Sequence, residues 1–149
     1  MTSGDRFLVD TNVLVYAYDR SEHIKQRRAL DVLDRLVRLN SGVLSTQVLG
    51  EFFRTVTRKI PAPVSLEEGR QHLHEYVRSW NVVILTPEII LESARATAEH
   101  QLAYYDAQLW ATAKAYRVPT ILSEDFSHGT RLEGVHFLNP FLRPLPGEE

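Results

Sequence analysis

The sequence predicts an α/β domain built on a mainly parallel sheet of five strands flanked by helices. Short apolar runs recur at Phe7-Leu8-Val9, Val43-Leu44, Val82-Val83-Ile84-Leu85, Thr120-Ile121-Leu122 and Val135-His136-Phe137-Leu138. They are mostly continuous rather than alternating, the pattern of strands covered on both faces. Amphipathic helical patterns separate them, and strands alternating with helices give a parallel sheet. The 149 residues, 44% hydrophobic and 24% charged with formal net charge −2, suit one compact domain over 1–149. Its core is expected over about 6–141. Pro140, Pro144, Pro146 and Gly147 mark 142–149 as a loosely held tail.

Each helix has a local reason. Asp10, Thr11 or Asn12 can cap a helix beginning near Val13. In Ile24 to Leu39, Leu30, Leu33 and Val37 share one face, with Arg27, Arg28, Asp31, Asp34, Arg35 and Arg38 toward the other. Thr46 to Lys59 carries an apolar stripe of Val48, Leu49, Phe52, Phe53 and Val56. Ser65-Leu66-Glu67-Glu68 fits a capping box that opens a helix with Leu66, Leu73, Val77 and Trp80 inward. Thr86-Pro87 supplies an N-cap and a proline at the first helical position, and Tyr105 to Arg117 completes the set.

Composition removes several classes of function. With no cysteine, disulfides, thiolate nucleophiles and cysteine-based metal sites are excluded, and a cytoplasmic setting is the default. The longest apolar stretch, Val13 to Tyr18, is far short of a membrane span, so no membrane association is expected. Seventeen basic against nineteen acidic residues leave nucleic acid only a local basic patch. Serine-hydrolase, P-loop and dinucleotide motifs are missing from the sequence.

In parallel α/β sheets, ligands bind beyond the C-terminal ends of the strands. Asp10 ends the first strand, Glu51 lies one turn into the helix after the second, Asp106 opens the last helix, and Asp125 follows the fourth strand. Each has an ordinary role available to it: helix cap, solvated glutamate, N-terminal charge or turn residue. Brought into one crevice, however, four carboxylates persist as anions only if a cation compensates them. All-oxygen donors point to Mg²⁺ or Mn²⁺, and such a site activates water and shields a phosphodiester. Hydrolysis of a phosphate ester is the leading chemistry.

Leu8-Val9-Asp10-Thr11-Asn12-Val13-Leu14, Glu51, Tyr105-Asp106-Ala107 with Ala111-Thr112-Ala113, and Ser123-Glu124-Asp125-Phe126 together resemble the PIN-domain nucleases. More narrowly they resemble the VapC-type toxins of type II toxin-antitoxin modules, with Asn139-Pro140-Phe141 in keeping with that group. The resemblance implies a PIN-like three-layer fold with the first and fourth strands adjacent and Asp10 beside Asp125. It also implies Mg²⁺- or Mn²⁺-dependent cleavage of RNA, a cognate antitoxin partner, a homodimer and a cytoplasmic site of action. Carried over, Asp10 and Asp106 match the principal metal ligands, Asp125 the third aspartate, and Glu51 the glutamate that binds a second ion or positions water. Asn12 and Ser123 match supporting polar positions. Many relatives have threonine where Ser123 stands and a further aspartate where this chain has Ser127. By the family pattern Asp125, rather than Glu124, faces the metal.

RNA also needs positive charge and a surface for bases. Arg54 and Arg58, one turn apart on the helix of Glu51, are candidate phosphate contacts, and Tyr104 or Tyr105 is a candidate stacking residue. His72 and His74 face different ways, and His128 reads as structural or solvent-facing. A haloacid-dehalogenase-type phosphatase would want aspartate at position 12, which is Asn12, and a receiver domain would want a phosphoacceptor aspartate where Thr86 and Pro87 follow Leu85. A PIN-like module that binds RNA or protein without cutting is the remaining alternative.

Overall fold

A computed structural model describes residues 5–126 and 129–148. In chain order the elements are β1 (Phe7–Val9), α1 (Thr11–Tyr16), α2 (His23–Arg38), β2 (Gly42–Ser45), α3 (Thr46–Arg58), α4 (Leu66–Ser79), β3 (Asn81–Val83), α5 (Pro87–His100), α6 (Tyr104–Ala115), β4 (Thr120–Leu122), β5 (Arg131–Leu132) and β6 (Val135–Leu138). The sheet runs β3-β2-β1-β4-β6-β5 and is parallel except for the β5–β6 pair. The sequence had predicted five strands. The sixth is a two-residue strand, too short to leave a hydrophobic signature. β1 and β4 are neighbours in the register Val9↔Leu122, and the Asp10 amide donates to the Leu122 carbonyl at 2.9 Å. The register thus sets Asp10 beside Ser123, with Asp125 two residues further on.

The central strands are buried on both faces, as their continuous apolar runs require. Helix starts follow their caps. The Ser45 hydroxyl accepts from the Val48 amide, Thr86 from Ile89, and Ser65 with Glu68 forms the reciprocal capping box.

Which helix faces are buried departs from expectation in two places. On α2 the buried residues are Ala29, Val32, Leu33 and Leu36, while Leu30 and Val37 are about half exposed. On α4 they are Gly69 and Tyr76, whereas Leu66 and Val77 are exposed and Leu73 and Trp80 only partly covered. Gly69 explains the second case. A Cβ there would stand 2.7 Å from Thr57 Cγ2 and 3.0 Å from Phe53 Cε1, so the closest approach of α4 to α3 falls on a residue with no side chain. Close helix contact, rather than the sum of apolar residues, chose the face.

Two ends also differ from the sequence reading. β3 begins at Asn81 and stops at Val83, and the Ile84 carbonyl just beyond it accepts from the Tyr116 hydroxyl at 2.6 Å. The segment expected as a loose tail is docked: Leu145 is buried, and Glu148 receives both terminal nitrogens of Arg28 at 2.8 Å.

Candidate active site

Asp10 is the N-cap of α1, and its Oδ1 accepts from the Thr11 amide at 2.7 Å. Its Oδ2 accepts from the Ser123 hydroxyl at 2.7 Å. The ordinary capping role and a place in a crevice therefore coexist in one carboxylate. Ser123, fully buried at the end of β4, also accepts from the Asp125 amide at 3.1 Å and from Asn12 Nδ2 at 3.3 Å. It thereby ties the ends of β1 and β4 together. Glu51 Oε1 accepts from Gln47 Nε2 at 2.9 Å and from the Thr11 hydroxyl at 3.4 Å. Asp106 lies in the first turn of α6.

Asp10, Glu51, Asp106 and Asp125 all line one cavity of about 400 Å³, with Thr11, Asn12, Gln47, Thr55, Tyr105 and Asp19 among its other walls. No lysine, arginine or histidine lines it among the described residues. The electrostatics follow from that. Burial raises the Asp10 carboxyl from its ordinary 3.8 to about 6; the Ser123 and Thr11 hydrogen bonds oppose the shift, and the charges of Asp125 and Glu51 add to it. Asp106 is raised by the same causes in the same order, burial first and then Asp125 and Glu51. Anionic charge is thus gathered where it is disfavoured.

Glu124 does not share the crevice. Its carboxylate accepts from the Tyr16 hydroxyl at 2.6 Å and pairs with Lys25 Nζ at 3.0 Å. Arg54 and Arg58 are exposed and stand outside the cavity lining. With Glu51 and Thr55 they follow the i, i+3, i+4, i+7 spacing of one α3 stripe, which leads outward from the acids. Tyr105 is 65% exposed on the cavity wall, with Tyr104 set edge-on to it at 5.2 Å. His72 packs against the Tyr18 ring, away from the acids, and His128 lies outside the described residues. Sequence reasoning missed Gln47 and Gln108, the latter buried and donating to Gln47 at 2.6 Å. The i, i+4 spacing of Gln47 and Glu51 was the available signal.

The donor set suits a hard divalent ion: all oxygen, with no basic side chain in the lining, and with a buried Asn12 Oδ1 that has no hydrogen-bond partner among the described residues. Among those residues, no three acidic or imidazole side chains are grouped tightly enough to form a ready-made metal cage. A larger cavity of about 590 Å³ lies between α5 and α6, and of the charged groups on its wall Arg95 and Lys114 both pair with Glu92.

The sequence matches the PIN domain family over residues 7–128, most of the chain. This protein belongs to the PIN domain family. Solved structures of similar fold include toxin-antitoxin proteins. A chain of a toxin-antitoxin complex from Klebsiella pneumoniae aligns with TM-score 0.64 at 18% identity, covering 89% of this chain and 96% of that one. A chain of VapBC2 from Rickettsia felis, solved on a DNA fragment from its promoter, gives 0.65 at 15% identity with 88% and 96% covered. Mycobacterium tuberculosis VapC20, described as a Sarcin-Ricin loop cleaving toxin, gives 0.59 at 15% identity with 77% and 86% covered. At such identities the likeness is one of fold. No curated protein sequence matches the chain. The three-layer PIN architecture expected from the sequence is the one observed, with six strands in place of five.

Proposed function

We propose that this PIN domain is a Mg²⁺- or Mn²⁺-dependent endoribonuclease that acts in the cytoplasm as the toxin of a toxin-antitoxin pair. The observation that carries the reading is the gathering of Asp10, Glu51, Asp106 and Asp125 around one cavity with no basic residue in its lining among the described residues. Asp10, Asp106 and Asp125 would hold the principal ion, and Glu51 would hold a second ion or orient the attacking water. A bound ion supplies an acidified water and shields the charge that builds up on the phosphodiester.

The chain's own groups do the positioning. The Thr11 amide and Ser123 hydroxyl fix both oxygens of Asp10, and Ser123 holds the backbone of Asp125 in the same contact set, so the two aspartates keep their places despite their repulsion. Asn12 backs Asp10 and Ser123 from the first turn of α1. Arg54 and Arg58 extend from the Glu51 stripe as contacts for flanking phosphates, and the exposed ring of Tyr105 offers a face to an unpaired base. The toxin role, with an antitoxin as partner and a homodimer as the assembled form, draws on the toxin-antitoxin complexes that share the fold.

The deciding experiment incubates the protein with mixed RNA and Mn²⁺, with and without chelator, beside its Asp10→Asn variant. Chelator-sensitive cleavage by wild type alone is expected. RNA left equally intact by both proteins refutes the nuclease and favours the binding module. Growth arrest on expression of wild type but not Asp10→Asn, relieved by the neighbouring gene, tests the toxin role. Light scattering tests the dimer.

A further inference from the structure

Gln108 is a buried amide in a stretch of α6 where Ala107, Leu109, Trp110, Ala111 and Ala113 are also buried. Its Nε2 donates to Gln47 Oε1 at 2.6 Å, and Gln47 Nε2 donates to Glu51 Oε1 at 2.9 Å. A primary amide has one acceptor end and one donor end. With its oxygen engaged by Gln108, Gln47 is locked with its N–H groups toward Glu51. The Thr11 hydroxyl approaches the same carboxylate oxygen at 3.4 Å, so among the described residues both hydrogen bonds of Glu51 fall on Oε1. Oε2 remains as the oxygen with no donor among the described residues.

Resting on the nuclease reading, we propose that Gln47 and Gln108 are positioning residues that act through Glu51. They hold this solvent-exposed glutamate in one orientation, with Oε1 occupied and Oε2 alone offered to a divalent ion or to the attacking water. Glu51 needs such a tether for two reasons. It projects from an exposed turn of α3, where a free glutamate samples many rotamers, and the neighbouring aspartates repel it. Outer partners of this kind set ligand orientation and are costly to remove. The relay also couples α6, which carries Asp106, to α3, which carries Glu51, so two acids from distant parts of the sequence are held through one pair of amides.

The test uses near-isosteric Gln47→Met and Gln108→Met and the double variant. Two measurements are made: Mn²⁺ affinity of the RNA-free protein by titration calorimetry, and kcat and KM on a cleavable RNA. Gln47→Met should weaken Mn²⁺ binding and lower kcat by about 10-fold or more, with KM for RNA unchanged. Gln108→Met, which touches no acid, should move both quantities in the same direction by less. The double variant should be no worse than Gln47→Met alone, because the two residues act in series. Wild-type Mn²⁺ affinity and kcat in Gln47→Met overturn the proposal, as do losses that multiply in the double variant. A lowered Tm with unchanged Mn²⁺ affinity in Gln108→Met reduces that amide to a tie between helices. If buried Gln108 tolerates no change, Gln47→Met still decides. If wild type leaves RNA intact, the nuclease reading fails while the Mn²⁺ titrations still judge the relay.

Discussion

Glu92 on α5 and Glu133 in the turn between β5 and β6 face Arg95 and Lys114, with His100 also within 2.6 Å of Glu133. Asp10, Glu51, Asp106 and Asp125 line one cavity and meet no basic side chain there among the described residues. The consequences are opposite. Hydrogen bonds from Arg95 and Lys114 hold the Glu92 carboxyl down to about 2, and those from Lys114, His100 and Arg95 do the same for Glu133, whereas burial lifts Asp10 to about 6. Trp110 underlies the paired cluster, with Lys114 and Arg95 within 5.1 and 5.8 Å of its ring. One set of acids is satisfied by the protein itself. The other has no cationic partner among the described residues, which is the difference expected between a structural cluster and a site.

The sharpest way to break this contrast is to remove a crevice acid. Asp10→Asn and Asp106→Asn should each abolish cleavage, exceeding the ~100-fold that outer-shell substitutions reach, while circular dichroism shows the fold intact. Normal turnover by either would dissolve the distinction.

A smaller effect tests the electrostatics directly. Because the folded state holds the Asp10 proton more tightly than the unfolded chain does, the contribution of Asp10 to the stability of the metal-free protein should be fully present below pH ~4 and be lost as pH rises through about 6. Asp10→Asn should flatten that decline in thermal melts. Mn²⁺ at about 100 times its Kd should raise Tm by about 5–10 °C, most clearly above pH 6. No metal-dependent rise would remove the external partner from the argument.

The paired cluster has the reverse sign. Carboxyls held near 2 stabilise above pH ~4.5, and that contribution fades only as pH falls toward 2. Since the pairs of Glu92 are only partly buried and are screened by solvent, Glu92→Gln should cost about 1 kcal/mol or less by urea unfolding and leave cleavage untouched.

Much of this was legible in the sequence because it depends on short-range rules. Thr120–Leu122 and Val135–Leu138 are strands at the limits their apolar runs indicate, and the Ser65 and Thr86 caps open the helices they announce. The inward face of α4 differs from its apolar pattern because burial there is set by where Gly69 allows close contact with α3, a property of two surfaces rather than one pattern. Gln47 and Gln108, 61 residues apart, had no joint signature.

The sequence by itself determined the α/β alternation, the strand ends where acids stand, and an all-oxygen donor inventory, since periodicity, capping and residue chemistry are local. Only the tertiary structure decided that Glu124 turns to Lys25 and Tyr16 while Asp125 lines the cavity, and that Arg95 and Lys114 pair with Glu92 and Glu133 rather than with the four carboxylates gathered at the cavity. Charge compensation is a sum over neighbours in space, and those neighbours come from segments the chain order keeps far apart.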